Sequence, residues 1–399
     1  MSLRSFFVRF LFIVLFIALI VGVIGFARGY RVDLEKKSVS PTGILAVISS
    51  PKAAKVYLNG EFKGVTDLNM TLPPGNYKVE VQKEGYTSYS TNISLKGELV
   101  ETVDPTLFPT NPSLTPLTNL GIVKAVQVDQ SDKIVLFADN NSEEKDGVYL
   151  FDSNNRPLSF FPPLKTIILK KKLPGGVDLS KTTIYFSADF RQAIFDFYLE
   201  DGTVFSYLFT LDSENQELFD VTSSKKALIQ AWEKEKTGET IKIMESFPKE
   251  IQKIASDSFD IISFSPSQTK ILYKASSNQN IPLVIDPPLI ASNQTKEERS
   301  IKKNSAYVYD LKEDKNFLID GKNFKAGEVL WYSDSKHFVL KDGKQLSAIN
   351  YDGKNRQALY SGPIEENFFS VNSGGVIVIL ANLNPQLNKL PDLYQVGIR

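Results

Sequence analysis

The sequence predicts a mainly β chain with a single helix at its start. Three observations carry that reading. An apolar run without a charged residue, Phe10–Ala27, lies among the first thirty residues. Between residues 43 and 107, apolar side chains alternate with period two around tight-turn dipeptides. From residue 120 onward, short polar turns alternate with runs of β-formers and aromatics, and no long amphipathic helix stands out.

The first element is the apolar run. As a helix it measures about 27 Å at 1.5 Å per residue, close to a hydrocarbon layer of ~30 Å. Arg4 and Arg9 precede it, and Arg28 and Arg31 follow it. The expectation is an uncleaved, single-pass signal-anchor helix over residues 10–27 behind a short tail, 1–9. A cleaved signal peptide is the competing reading, because Gly25-Phe26-Ala27 loosely resembles a small-x-small site. A buried helix of a soluble fold is the third. Lys36 and Lys37 add to the positive charge behind the run, which slightly favours a cytoplasmic C-terminal side. Export signals begin with a short basic tail and an apolar run, so the C-terminal domains are expected to be extracytoplasmic. Residues 28–42 are polar and read as a stalk.

The chain has 399 residues, with 46 Lys and Arg against 46 Asp and Glu. This balance gives no field to draw in a phosphate backbone, so no nucleic-acid partner is expected. The absence of cysteine excludes disulfides, thiolate nucleophiles and cysteine-bound metal. A single histidine, His337, excludes clustered-histidine metal sites, and any Ser-His-Asp triad would have to use it.

The second element spans residues 43–107. Ile44–Ile48 is a continuous apolar strand, and Val56-Tyr57-Leu58 runs into Asn59-Gly60, a pair suited to the two positive-φ positions of a type I′ hairpin. Gly64 ends the return strand. Pro73-Pro74-Gly75 fits a turn with glycine in the left-handed position, and Tyr77, Val79 and Val81 share one face of the next strand, which ends before Gly85. This array, with Ser50-Pro51-Lys52-Ala53-Ala54, Gly64-Val65-Thr66 and Lys83-Glu84-Gly85-Tyr86, resembles the PEGA domain. Lys52-Ala53-Ala54 departs from the Glu-Gly-Ala of the family's name. The resemblance implies a small β-sandwich that acts as a surface-associated spacer or binding unit without catalysis. Tyr57, Tyr77 and Tyr86 are expected in its core.

Residues 108–119 hold Pro109, Pro112 and Pro116 and read as a semi-rigid linker. Beyond them, six copies of a turn-and-strand unit can be read, at 130–161, 187–219, 222–244, 263–319, 332–360 and 370–398. One four-stranded sheet cannot cover its own faces, whereas a ring of them can, and this points to a β-propeller of about six blades over 120–399. The stretch 225–236 also reads as a short helix, which would remove one blade. The last copy lacks a strand, and Leu117–Val128 is expected to supply it. "FSPSQTKILY" and the stretch 332–360 resemble blades of TolB-like and prolyl-oligopeptidase-type propellers. In those families the resemblance implies partner binding or gating of a separate hydrolase.

No nucleophile elbow, phosphate-binding loop or dinucleotide fingerprint occurs. No catalytic, cofactor-binding or metal residue is assigned, and no cofactor is expected. His337 reads as a hairpin residue, with Asp334 as a turn acid. "DSNNRPL" at Asp152 is too short for a calcium loop. The lysine run at 169–173 reads as a guarded strand edge, or as a contact to an anionic envelope polymer.

The expected function is non-catalytic binding or scaffolding at the cell envelope, with a cell-wall, surface-layer or envelope-protein partner. One alternative is a propeller glycosidase or lyase using channel carboxylates such as Asp139, Asp152 or Asp310. A sensor ectodomain is the other.

Overall fold

The computed structural model describes residues 3–27, 30–33, 38–129, 131–154, 164–290, 293–320 and 327–398. The chain divides into two compact units, Met1–Phe108 with Pro288–Gln294, and Pro109–Pro287 with Thr295–Arg399.

Helix α1 covers Leu3–Ala27. Among the described residues, however, no helix is long and apolar enough to cross a membrane. This corrects the transmembrane helix expected over 10–27. Arg28, Lys36 and Lys37, which bear on orientation, lie outside the described residues. Where the sequence predicts a bare stalk, β1 (Tyr30–Asp33) and β2 (Ser38–Pro41) pair antiparallel.

The small module holds β3 (Gly43–Val47), β4 (Lys55–Leu58), β5 (Glu61–Val65), β6 (Leu68–Leu72), β7 (Gly75–Gln82), β8 (Tyr89–Leu95) and β9 (Val100–Val103). They form two sheets, in the orders β6-β3-β9 and β5-β4-β7-β8. Leu45, Val47 and Val103 of one sheet meet Val56, Leu58, Val79, Val81 and Ile93 of the other in a shared core. Asn59 (φ 52°) and Gly60 (φ 85°) make the two-residue turn that joins Leu58 to its partner Glu61. Gly75 does not take the left-handed conformation expected of it; it opens β7. Tyr77 and Tyr86 pack against the core. Tyr57 departs from the expectation. It alternates with buried Val56 and Leu58, so it points outward and meets Phe62 edge-on at 5.7 Å.

The larger unit begins with β10 (Ser113–Pro116). The first sheet holds β11 (Ile122–Gln127), β12 (Lys133–Ala138), β13 (Gly147–Asp152) and β14 (Leu164–Leu169). The second holds β15 (Val177–Phe186), β16 (Gln192–Leu199), β17 (Val204–Thr210) and β18 (Phe219–Asp220). Two helices follow, α2 (Lys225–Met244) and α3 (Lys249–Ser258). The third sheet starts with β19 (Phe259–Phe264) and β20 (Lys270–Ala275). A small pair, β21 (Gln279–Asn280) and β22 (Ser300–Ile301), interrupts it before β23 (Ala306–Asp310) and β24 (Lys315–Asp320) complete it. The fourth has β25 (Val329–Trp331), β26 (His337–Asp342), β27 (Gln345–Asn350) and β28 (Gln357–Ser361). The last strands are β29 (Phe369–Val371), β30 (Ile377–Ala381) and β31 (Asp392–Gly397), and β10 adds to β31 to make the fifth four-stranded sheet.

The sheets pack face to face through shared apolar layers: first on second, third on fourth, and fifth on first. Strand β25 of the fourth packs against β29 of the fifth. The helices occupy the place between the second and third sheets. Lys225 of α2 pairs with buried Asp196 of β16 and lies 4.7 Å from the Tyr185 ring centre. Phe247, Ile251 and Ala255 pack against Phe259, Tyr273 and Tyr309 of the third sheet.

The unit therefore has five four-stranded sheets among the described residues, not about six blades. The copy read at 222–244 is α2. Residues 225, 228, 229, 232, 236, 238, 240, 243 and 244 are half-buried or buried, spaced mostly by three and four as on one side of a helix. The closing strand is also displaced. Ser113–Pro116 fills the gap, whereas Ile122–Gln127 belongs to the first sheet. Proline is tolerated there because β10 is an outer strand and need not donate on its free side.

Candidate functional site

The first and second strands of each sheet are joined by equivalent turns at Val128–Lys133, Ser187–Gln192, Ser265–Lys270, Tyr332–His337 and Asn372–Val376. In each, the first N–H donates to the last carbonyl, at 3.0, 2.9, 2.9, 2.8 and 3.0 Å in that order. Each is tightened by a bond from the residue three on, such as Ser335 N–H to the Tyr332 carbonyl at 3.1 Å. Neighbouring turns are knitted together. Ser267 N–H donates to Ser335 Oγ at 3.0 Å, and Ser373 gives its N–H and its hydroxyl to Asp132, both at 2.6 Å. These turns gather polar side chains at one end of the ring, with bonds linking the third to the fourth and the fifth to the first.

The three acids of the hydrolase alternative do not converge. Asp139 holds Lys170 at 2.7 Å. Asp152 accepts the Asn154 N–H at 2.9 Å and closes its own turn. Lys133 pairs with Asp152, and Ala138 with Gly147, so Asp139 and Asp152 stand at opposite ends of one hairpin. Six residue steps along the strand, from Lys133 to Asp139, separate them by about 20 Å, whereas paired catalytic carboxylates stand ~5–9.5 Å apart. Asp310 is buried, 3.3 Å from Lys270 Nζ, and accepts the Lys312 N–H at 2.8 Å.

His337 opens β26 and is buried, with Nδ1 2.7 Å from Asp334 Oδ2. Burial pushes the Asp334 carboxyl up, but the hydrogen bond and charge of His337, with the N–H groups of Lys336 and His337, hold it below the usual carboxylate range. This is a turn clamp. The lysine run forms a single 3₁₀ turn at Lys170–Lys172, with Lys172 2.8 Å from Glu214. Among the described residues, no group of three or more metal-binding side chains gathers. Part of the calcium stretch considered at Asp152 lies outside the described residues.

Sequence reasoning missed the inner strands. The first strand of each sheet stands at the axis of the ring. β11 packs against β15 and β25 against β29, and Lys124 Nζ donates to the Thr182 carbonyl at 2.7 Å. Burial pushes the Lys124 ammonium down, against the opposing charge of Glu366. Each of these five strands carries one buried polar atom without a protein hydrogen-bond partner: Gln127 Oε1, Thr182 Oγ1, Ser263 Oγ, Trp331 Nε1 and Ser370 Oγ. Thr182, Ser370 and Trp331 are 0%, 1% and 8% exposed as residues. Leaving one such group unmet costs about 1–3 kcal/mol, so these buried atoms weigh against the stability of the sheet interfaces that hold them.

Residues 42–111 match the PEGA domain family. The match covers the two-sheet module. No curated protein matches the chain. Among solved structures, TolB from Acinetobacter baumannii matches at 11% identity and a TM-score of 0.23, over 80% of this chain and 59% of that one. The chain thus spans little more than half of that relative. An auxiliary nutrient binding protein from Bacteroides thetaiotaomicron matches at 9% identity and a TM-score of 0.18, over 90% of this chain and 81% of that one. Superpositions this loose carry no argument, and the account of the ring rests on its own sheets.

Proposed function

We propose that the chain is a non-catalytic binding protein of the cell envelope, with the PEGA module as spacer and the ring of sheets as binding body. The polar end formed by the five equivalent turns carries this reading, since it offers a polar surface while the acids beside it are spent on ion pairs and turns. A balance of 46 basic and 46 acidic residues favours a wall, surface-layer or envelope-protein partner over nucleic acid. The test is protease accessibility of a tag placed after Arg399, on intact cells and on washed membranes. Digestion from outside supports the extracytoplasmic reading. Protection until the cytoplasmic membrane is breached overturns it.

A further inference from the structure

Helix α2 joins two sheets and is held differently at its two ends. Its last turn belongs to the third sheet: Ile243 and Met244, followed by Phe247, join the apolar layer of Phe259, Tyr273 and Tyr309. Its first half, 225–236, rests on the second sheet through polar contacts. Lys225 pairs with Asp196, which is 2% exposed and also accepts the Ser206 hydroxyl at 2.6 Å. The same ammonium lies over the Tyr185 ring, and Lys236 Nζ stands 5.5 Å from the Phe190 ring centre. Leu228, Ile229 and Trp232, on that side of the helix, are only half-buried. An open cavity of about 320 Å³ borders Ile229. In the whole helix, Met244 alone is buried. Few buried apolar contacts and an exposed backbone ladder are the marks of a segment that opens locally.

The two halves meet at a weak point. Thr237 and Thr240 turn their hydroxyls back onto the Glu233 and Lys236 carbonyls, at 2.8 and 3.1 Å. Such bonds slightly destabilise a helix and often bend it. Gly238 lies between them, and a β-carbon there would meet nothing within 4 Å. Packing therefore does not require glycine at 238, where it weakens the helix about fivefold relative to alanine. The first half alone is about three turns, a length that is marginal in water. We propose that 225–236 is a detachable strap. It leaves the second sheet and melts as a unit, hinged at Thr237-Gly238, while the last turn of α2 stays on the third sheet. Its departure uncovers the Asp196 carboxylate and the Tyr185 ring that hold the Lys225 ammonium. This movement goes beyond the envelope-binding reading and does not depend on it.

Hydrogen exchange of the full-length chain, read peptide by peptide, tests the strap. Amides of 227–236 are expected to exchange roughly 100-fold faster than those of β16 and of 242–244. Gly238→Ala is expected to slow exchange at 227–236 about fivefold and to leave β16 unchanged. Lys225→Met removes the ion pair at the start of the strap and is expected to quicken exchange there at least about tenfold. Exchange of 227–236 in step with β16 overturns the strap, because α2 would then open only when the ring unfolds. So does a Gly238→Ala variant that slows both alike or neither, and so does a folded Lys225→Met variant whose strap exchanges no faster than the parent's. If Lys225→Met fails to fold, the parent and Gly238→Ala still decide the matter, since position 238 has open space for a methyl group.

Discussion

Thr66 and Ala54 exchange two hydrogen bonds across the corner of the PEGA module. Thr66 N–H donates to the Ala54 carbonyl at 2.9 Å, and Ala54 N–H donates to Thr66 Oγ1 at 3.0 Å. The same hydroxyl lies 2.7 Å from Ser49 Oγ, and all of this is buried. Thr66→Val keeps the shape but strands the Ala54 N–H. The module is expected to lose about 1–3 kcal/mol, read as faster amide exchange at Ala54 with Thr66→Ser as the rescuing control. Unchanged exchange would show that the hydroxyl contributes nothing.

Ala53, beside this bond, sits at φ 58° where the family's name has glycine. A β-carbon in that conformation costs roughly 1–2 kcal/mol, partly offset by the greater chain entropy of glycine. Ala53→Gly should therefore stabilise the module by about 1 kcal/mol. Exchange at Ala54 and Thr66 would slow about fivefold. A faster rate would mean that the corner is not strained.

Gly375 closes the fifth equivalent turn at φ 78°, and a β-carbon there would come within 2.7 Å of Ser333 Oγ and Tyr332 Oη. Gly375→Ala must both strain the backbone and displace the Ser333 and Tyr332 side chains. A loss of about 2–3 kcal/mol is expected, seen as a lower denaturant midpoint by Trp331 emission in the Trp232→Phe background. A midpoint equal to the parent's would contradict the close approach.

Asp334 makes the ring sensitive to acid. Its carboxyl is held below the ordinary value in the folded state, so its contribution is complete above the unfolded value, near pH 4. The contribution fades as pH falls through the lowered folded value. Asp334→Asn should be less stable than the parent at pH 6 and show a shallower loss of stability below pH 4. Parallel curves of urea midpoint against pH would remove the Asp334–His337 clamp from the account.

The parts legible in the sequence are those fixed by local chemistry. Asn59-Gly60 demanded a particular turn, and the small polar residues of the ring turns, with Ser in each, marked the five of six copies that became sheets. Long-range assignments were harder. In α2, adjacent Leu228-Ile229 imitated a strand, and Thr237-Gly238 imitated a turn. Ser113–Pro116 looked like linker because an outer strand can carry proline. The partners of Asp139 and Asp310 lie 31 and 40 positions away, and no spacing announced them. The buried polar groups of the inner strands were invisible for a different reason. Single Ser, Thr or Gln residues on short strands are common, and only the topology shows which of them the sheet interfaces cover.

The module's first and last strands run in the same direction. The chain comes in at the start of β3 and leaves beyond the far end of β9. Tension applied along the chain would slide these strands past each other instead of peeling them apart. The bonds from Ile44 N–H to Leu99 O, Ile48 N–H to Val103 O and Ser50 N–H to Pro105 O, at 2.9, 2.9 and 3.1 Å, would bear that load together. A hairpin such as β4-β5 would instead give way one rung at a time. Held at one end and pulled at the other, this spacer is wired to resist extension, so its length under force would stay that of the folded module.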